Sequence, residues 1–469
     1  MQKHNLARTI LTLGIFTTSI FVGSRAFCNT PPPVLPPGTQ CDASCDDEQL
    51  QPTKLTLTEA VKKALDYSQS VKSAASSIKS AIEDTNKARA LIFPTISGQA
   101  LGSTKQNPAS FTSGNASGQV GSLIGDTYAL DLNLSQPLYA GGGLTAGISF
   151  YKTAEDIARQ TYYNTKQTVL QTALNTFYSL ANAQQSVQAA QQNVQILKEY
   201  LDITTRYARI GRARQMDKLQ AQANYSLGLS DLENTRNSLV QAQANLRLLF
   251  GDTYKYAVDA DFDMVIHPLD KLTVDQAFEE ASKTNPTILS AKLTLEQVDY
   301  SRDMDLATDM PNAALTGQAG YESPSLDQLV GSQSTFGTIG VTLNVPLFSG
   351  LSSFAKRRQW GEKKYEAEKA LQLAKDTLRN NIEDSLVALR SGRRQLILSE
   401  KSVKDAKVAL KMATEGYQQG IAASTDVSNM QTTYYTAAKG LISAQFTYLE
   451  NLVSLRQYMG IDLEKAYVH

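Results

Sequence analysis

Apolar positions along the chain follow two periods. Tyr128, Leu130, Leu132 and Leu134 alternate with Ala129, Asp131, Asn133 and Ser135, and Ile339, Val341, Leu343, Val345 and Leu347 alternate with Thr338, Gly340, Thr342 and Asn344. Strict alternation predicts strands with one apolar and one polar face. Elsewhere the spacing is helical, over residues 58–92, 143–208, 215–249, 274–309, 351–417 and 425–458. Within the two longest stretches of this kind lies a heptad seam: Val169, Ala173, Thr176, Leu180, Ala183, Val187, Ala190, Val194, Leu197 and Leu201 step by four and three. Leu378, Ile382, Ser385, Leu389, Gly392, Leu396, Ser399, Val403, Ala406 and Leu410 repeat it. Small residues along a seam let helix axes approach closely. A helix of about 65 residues spans about 100 Å, a length no compact domain needs.

The elements recur because the chain is written twice. At an offset of 217, Leu57-Thr58-Glu59-Ala60-Val61 falls on Val274-Asp275-Gln276-Ala277-Phe278, and Pro94 on Pro311. From Pro137 to Gly251 the offset is 209, carrying Pro137-Leu138 onto Pro346-Leu347, Gly141 onto Gly350, Gly211 onto Gly420 and Asp217 onto Asp426. The change of offset falls where Gly, Ser and Asn accumulate between residues 107 and 125, as expected of a loop. Residues 1–26 read as a signal, 27–54 as a Pro- and Cys-containing tail, and 55–251 as the first repeat, with strands near 95–107 and 126–138. Residues 252–271 read as a connector, 272–460 as the second repeat, with strands near 312–323 and 334–347, and 461–469 as a short C-terminal tail.

Charge and cysteines narrow the classes. Lys and Arg total 45 and Asp and Glu 45, so no net charge draws the chain to nucleic acid. Lys3, Arg8, the apolar stretch 10–22 and Ser24-Arg25-Ala26 form a secretory signal pattern with cleavage after Ala26. Cys28, Cys41 and Cys45 lie in the tail; a Cys41–Cys45 disulfide suits an oxidising compartment, and Phe27 spoils a lipidation site at Cys28. The three histidines are scattered, Gly141-Gly142-Gly143 lacks the Lys-Ser/Thr of a phosphate loop, and no nucleophile–base constellation stands out. The expectation is therefore no cofactor, no metal and no enzyme. The amides Gln167, Gln171, Gln184, Gln185, Gln188, Gln191, Gln192 and Gln195 could form a neutral lumen wall or an ordinary solvated face.

Four one-sided strands leave open edges, and lipid tolerates none. If the apolar faces meet lipid, several chains must pool strands into one barrel, polar inside, with the helices continuing as a tube. Against this stand an exported coiled-coil structural protein or adhesin, which explains the seams but not the duplicated strands, and a helical pore-forming toxin, which needs no repeat.

The opening 55–61, the segment Ala88-Arg89-Ala90-Leu91-Ile92-Phe93-Pro94, the turns Gln136-Pro137-Leu138-Tyr139-Ala140-Gly141-Gly142 and Val345-Pro346-Leu347-Phe348-Ser349-Gly350, and Tyr417-Gln418-Gln419-Gly420 before Asp426-Val427 resemble TolC-type outer-membrane efflux proteins. The resemblance implies a mainly α protein with a small transmembrane β part: a homotrimer whose twelve-stranded barrel, four strands per chain, continues as a periplasmic helical barrel. It implies an exit duct for efflux or type I secretion, working with a periplasmic adaptor and an inner-membrane pump of the RND, ABC or MFS type. It places a gate at Asp426 and Asn429, which match acidic rings, and a latch at Tyr417, Asp217 and Ala422. Asn429 and Ala422 depart from the pattern, leaving at best a Tyr417–Asp217 hydrogen bond, with Arg212 or Arg214 to replace the missing guanidinium. Gly211, Gly420, Arg212 and Arg214 mark the tip turns where an adaptor docks, and Pro137, Gly141, Pro346 and Gly350 the swivel from strand to helix.

Overall fold

The computed structural model describes residues 53–105, 125–258, 268–325 and 335–468. The signal, the three cysteines with their expected bridge, and most of the Gly/Ser/Asn-rich loop lie outside these residues. Within the unit that runs from Leu50 to His469, each repeat has the same order. In the first, α1 (Leu57–Tyr67) and α2 (Gln69–Ala90) precede β2 (Thr95–Lys105), β3 (Gly125–Ala140), α3 (Gly143–Arg209) and α4 (Gln215–Phe250). In the second, α5 (Val274–Thr284), α6 (Pro286–Ala307), β5 (Asn312–Ser323), β6 (Thr335–Asn344), α7 (Ser352–Gln419) and α8 (Ser424–Tyr458) follow. The short strands β1 (Thr53–Leu55) and β4 (Tyr256–Val258) pair in parallel.

The duplication extends to the caps. Thr56 and Thr273 open α1 and α5 with the same capping box, each accepting from the N–H of Glu59 or Gln276. The sequence pattern predicts one helix over 58–92 and one over 274–309, but each is broken. Ser68 (ψ 114) and Asn285 (ψ 122) leave the helical region and cap the next helix through their side chains. Asn285-Pro286 is a legible break, since Pro disfavours a helical residue before it; Ser68 carries no such mark.

The strands form one antiparallel sheet ordered β2-β3-β5-β6, so β3 and β5 join the two repeats. β3 runs past Pro137 to Ala140 rather than ending there, because a register shift between Pro137 and Tyr139 absorbs the missing N–H. β6 stops at Asn344, short of the expected 347 and two residues before Pro346. The strand-to-helix turn is made by Gly141 (φ +60) and Gly142 (φ +87) in the first repeat, and by Gly350 (φ +65) and Leu351 (φ +68) in the second.

Three cores hold the helices. One gathers Ala60, Val61 and Ala64 of α1 against Leu170, Leu174, Phe177 and Leu180 of α3, with Leu246 of α4. Its duplicate gathers Ala277, Ala281, Ile382, Leu386, Leu389 and Leu455. The third, at Tyr200, Ala221 and Val427, lies near the hairpin turns. The seam of α7 is buried almost throughout, whereas α3 also buries Leu170, Leu174 and Ala181 beside its seam because α1, α4 and α8 all cover it.

Three of the eight amides on α3 are tied to other elements, while Gln188, Gln191, Gln192 and Gln195 are exposed. Gln167 is buried, donates to Asp462 (3.1 Å) and accepts from the N–H of Leu463 (3.0 Å). Gln171 reaches Ser454, and Gln184 accepts from Val258 N–H. These amides anchor α8, β4 and a last helix, α9 (Leu463–Val468), where a plain tail was expected.

Candidate functional site: hairpin tips and the one-sided sheet

The two hairpin turns are copies of one motif. Beyond α3, Gly211 (φ +73) lets the N–H groups of Arg212 and Ala213 return to Tyr207 O; beyond α7, Gly420 (φ +78) lets those of Ile421 and Ala422 return to Gly416 O. A left-handed residue closing a helix end in this way favours glycine. Three residues into the next helix, Asp217 accepts from Arg214 N–H (3.1 Å) and Asp426 from Ala423 N–H (3.0 Å). Both aspartates therefore fold their turns, as carboxylates placed at helix N-termini do.

The copies differ in charge compensation. Arg214 clasps buried Asp217 through Nε (3.2 Å) and Nη2 (3.0 Å), and the guanidinium holds that carboxyl below its ordinary value. Ala423, its counterpart, offers nothing comparable, so Asp426 stands exposed, as does Asn429 one turn on. Of the two candidates for the missing guanidinium, both exposed, Arg214 reaches Asp217 from within its own turn, while Arg212 has no ion pair among the described residues.

The expected Tyr417–Asp217 hydrogen bond is not made within the chain. Tyr417 Oη is buried with no hydrogen-bond partner among the described residues, and burial, with the Asp217 charge behind it, pushes its phenol up. Its ring instead lies 5.5 Å from that of Tyr200 and 6.0 Å from that of Tyr207. The hairpins are joined by residues the sequence reading missed. Tyr200 donates to Ser424 Oγ (2.8 Å), with Ser424 O at 3.2 Å, and Asn224 donates to Ser428 Oγ (2.6 Å). Tyr207 donates to Gln418 O (3.4 Å). A tyrosine on the buried side of a helix needs a partner for its hydroxyl, and that need was the available signal.

The sheet register sorts the strands into two faces. Ile96, Leu132, Leu134, Ile339, Val341 and Leu343 share one with the small residues Gly98, Gly317 and Ala319; Gln99, Asp131, Asn133, Ser135, Thr316, Gln318 and Thr338 share the other. The apolar face is uncovered, with Ile96 at 72% and Ile339 at 77% exposure. On the polar face Gln318 donates to Asp131. Beside them β3 and β5 approach so closely that a Cβ on Gly320 would lie 2.3 Å from Leu130 O.

No helix among the described residues is long and apolar enough to cross a membrane. The apolar sheet face, made of strands of ten to sixteen residues, has the dimensions of a bilayer-spanning surface.

A sequence profile of the outer membrane efflux protein family matches residues 60–252 and 277–461, the two repeats. The outer membrane protein TolC of Escherichia coli is 24% identical over 398 residues, covering 81% of this chain and 77% of that protein. The alkaline protease secretion protein AprF of Pseudomonas aeruginosa is 22% identical over 54% of this chain and 53% of its own. Among solved structures, the outer membrane protein VceC of Vibrio cholerae shares the fold with a TM-score of 0.70 at 18% identity, over 86% of this chain and 96% of that one. With both repeats matched, a one-sided sheet and helical hairpins in the family's order, the chain belongs to the outer membrane efflux protein family and is an outer-membrane channel protein that extends into the periplasm.

Proposed function

We propose that three copies of this chain close into one exit duct. The supporting observation is that both layers end in the same unpaired way. The sheet leaves the outer edge of β2 in the first repeat and of β6 in the second unpaired among the described residues. The long helices pack in the order α4-α3-α8-α7 toward the tips and α2-α3-α6-α7 toward the sheet, so a first-repeat helix and a second-repeat helix flank each layer. Apolar side chains are exposed on those flanks, including Leu219, Leu227 and Val240 of α4 and Leu373, Val387 and Leu398 of α7. A head-to-tail ring satisfies sheet and helices together. Two copies would give eight strands, an interior about filled by side chains; twelve leave a water-filled lumen.

The duct is passive and works through a periplasmic adaptor with an inner-membrane pump of the RND, ABC or MFS type. The tip turns at Gly211, Arg212, Arg214 and Gly420 are where the adaptor docks. Asp426 and Asn429 line the mouth, with Tyr417 and the Arg214–Asp217 pair behind them. AprF, by its name, secretes a protease, which favours type I secretion as a second use of the same duct. Purification in mild detergent tests the reading: it requires a particle of three chains that conducts ions in planar bilayers. A conducting monomer would refute it.

A further inference from the structure

We infer that the start of α7 carries a cationic collar that binds anionic phospholipid headgroups in the periplasmic leaflet of the outer membrane. The inference rests on the outer-membrane placement of the chain and concerns a stretch where the two repeats diverge. Four positions of the second repeat, Leu351, Phe354, Arg357 and Arg358, correspond at the 209-residue offset to Gly142, Thr145, Ile148 and Ser149. Each change adds either exposed apolar surface or positive charge. Leu351 is also the single described non-glycine residue with positive φ (+68), at the position where the first repeat has a glycine. Its side chain is nevertheless 64% exposed. A left-handed leucine costs free energy that an exposed side chain does not recover within the chain, so its compensation is sought in contact outside it.

The lipid-facing column of β6, Ile339, Val341 and Leu343, runs on through Val345, Leu347 and Phe348 to Leu351 and Phe354, all exposed. One turn later the chain reaches Arg357 and Arg358, exposed and without an ion-pair partner among the described residues. The side of the helix opposite Arg358 is already occupied, and Arg357, seven residues before Lys364, lies exposed at the border of that side. Lys356 is paired with Asp309 (3.4 Å), Trp360 Nε1 donates to Asp305 (2.8 Å), and Lys364 is paired with Asp299 (3.0 Å), all on α6. Leu351, Phe354, Arg358 and Tyr365 therefore share the side turned away from α6. Apolar and aromatic side chains passing into unpaired arginines at the edge of a lipid-facing surface suit the acyl-to-phosphate boundary of a leaflet. Guanidinium forks match phosphate oxygens in geometry as well as charge.

Native mass spectrometry of the full-length assembly, released from bilayers containing phosphatidylglycerol and phosphatidylethanolamine, tests the inference. The wild type should retain phosphatidylglycerol preferentially. Replacing both arginines (Arg357→Gln with Arg358→Gln) should cut that preference by roughly fivefold per arginine, and Arg357→Lys with Arg358→Lys should keep most of it. The control Arg209→Gln, at the far end of α3, should change nothing. Equal retention by the wild type and the Gln pair, or an equal loss in the control, overturns the inference. Single-channel conductance of the Gln pair is read in parallel, and an intact pore there separates failure of the collar from failure of the channel.

Discussion

At the tips, single residues carry charge compensation and hydrogen bonds that decide how firmly the hairpins are held. Tyr200→Phe removes the bond to Ser424 and leaves a buried hydroxyl without its donor, a loss of about 1 kcal/mol. Resting conductance in bilayers should rise. Tyr417→Phe deletes a buried hydroxyl with no hydrogen-bond partner among the described residues, so thermal stability should hold or rise and resting conductance should stay at its wild-type value; an increase in leak would restore a bonded role for it. On the proposed placement at the mouth, exposed Asp426 should attract di- and trivalent cations, and Asp426→Ala should weaken their block of the current. If block is unchanged, the constriction lies elsewhere. pH acts through two groups of opposite sign. Asp217 has a depressed folded pKa, so its contribution persists above the ordinary carboxylate range near 3.9 and is lost only as pH falls through the lower folded value. Burial pushes Tyr200 up to about 12, so its contribution is intact below about 10 and fades as pH rises toward 12. Bilayer leak should therefore grow over that alkaline window and lose that component in Tyr200→Phe.

At the scale of elements, Gly320 sets how closely the two repeats are joined. Its missing side chain lets β5 lie against Leu130 O and Asp131 Cα, backbone atoms that cannot rotate away. Gly320→Ala should cost about 1–3 kcal/mol and lower the temperature at which the detergent-solubilised assembly dissociates, as read on unheated and heated gels. Asn285→Ala, which uncaps α6 at its break from α5, should cost about 1 kcal/mol by thermal unfolding. The long helices, the four strands and the duplication were legible because each rests on a period sustained over many residues. The break at Ser68, the β1–β4 pair and α9 were not, since each depends on contacts with elements distant in sequence. The tip shows the same division. Gly211 and Gly420 stood out as turn residues, and Asp217 and Asp426 as duplicated positions read for a latch and a gate rather than as the caps they make, whereas the Tyr200–Ser424 and Asn224–Ser428 links join positions more than two hundred residues apart that no local pattern connects.

At the scale of the whole molecule, pseudo-symmetry fixes how neighbouring copies should meet. Within the chain, β3 and β5 pair Ser135 with Thr316. Shifting each residue by its repeat offset makes the contact between β6 and the next copy's β2 place Asn344 opposite Gln99. A cysteine pair at those two positions, Gln99→Cys with Asn344→Cys, in a chain whose Cys28, Cys41 and Cys45 are replaced by serine, turns this register into a covalent readout. Oxidised in the outer membrane and run on a denaturing gel, the double variant should give crosslinked dimers and trimers and nothing larger, while each single variant stays monomeric. Bands beyond the trimer, or no crosslink between copies that still conduct, would contradict the closed ring of three.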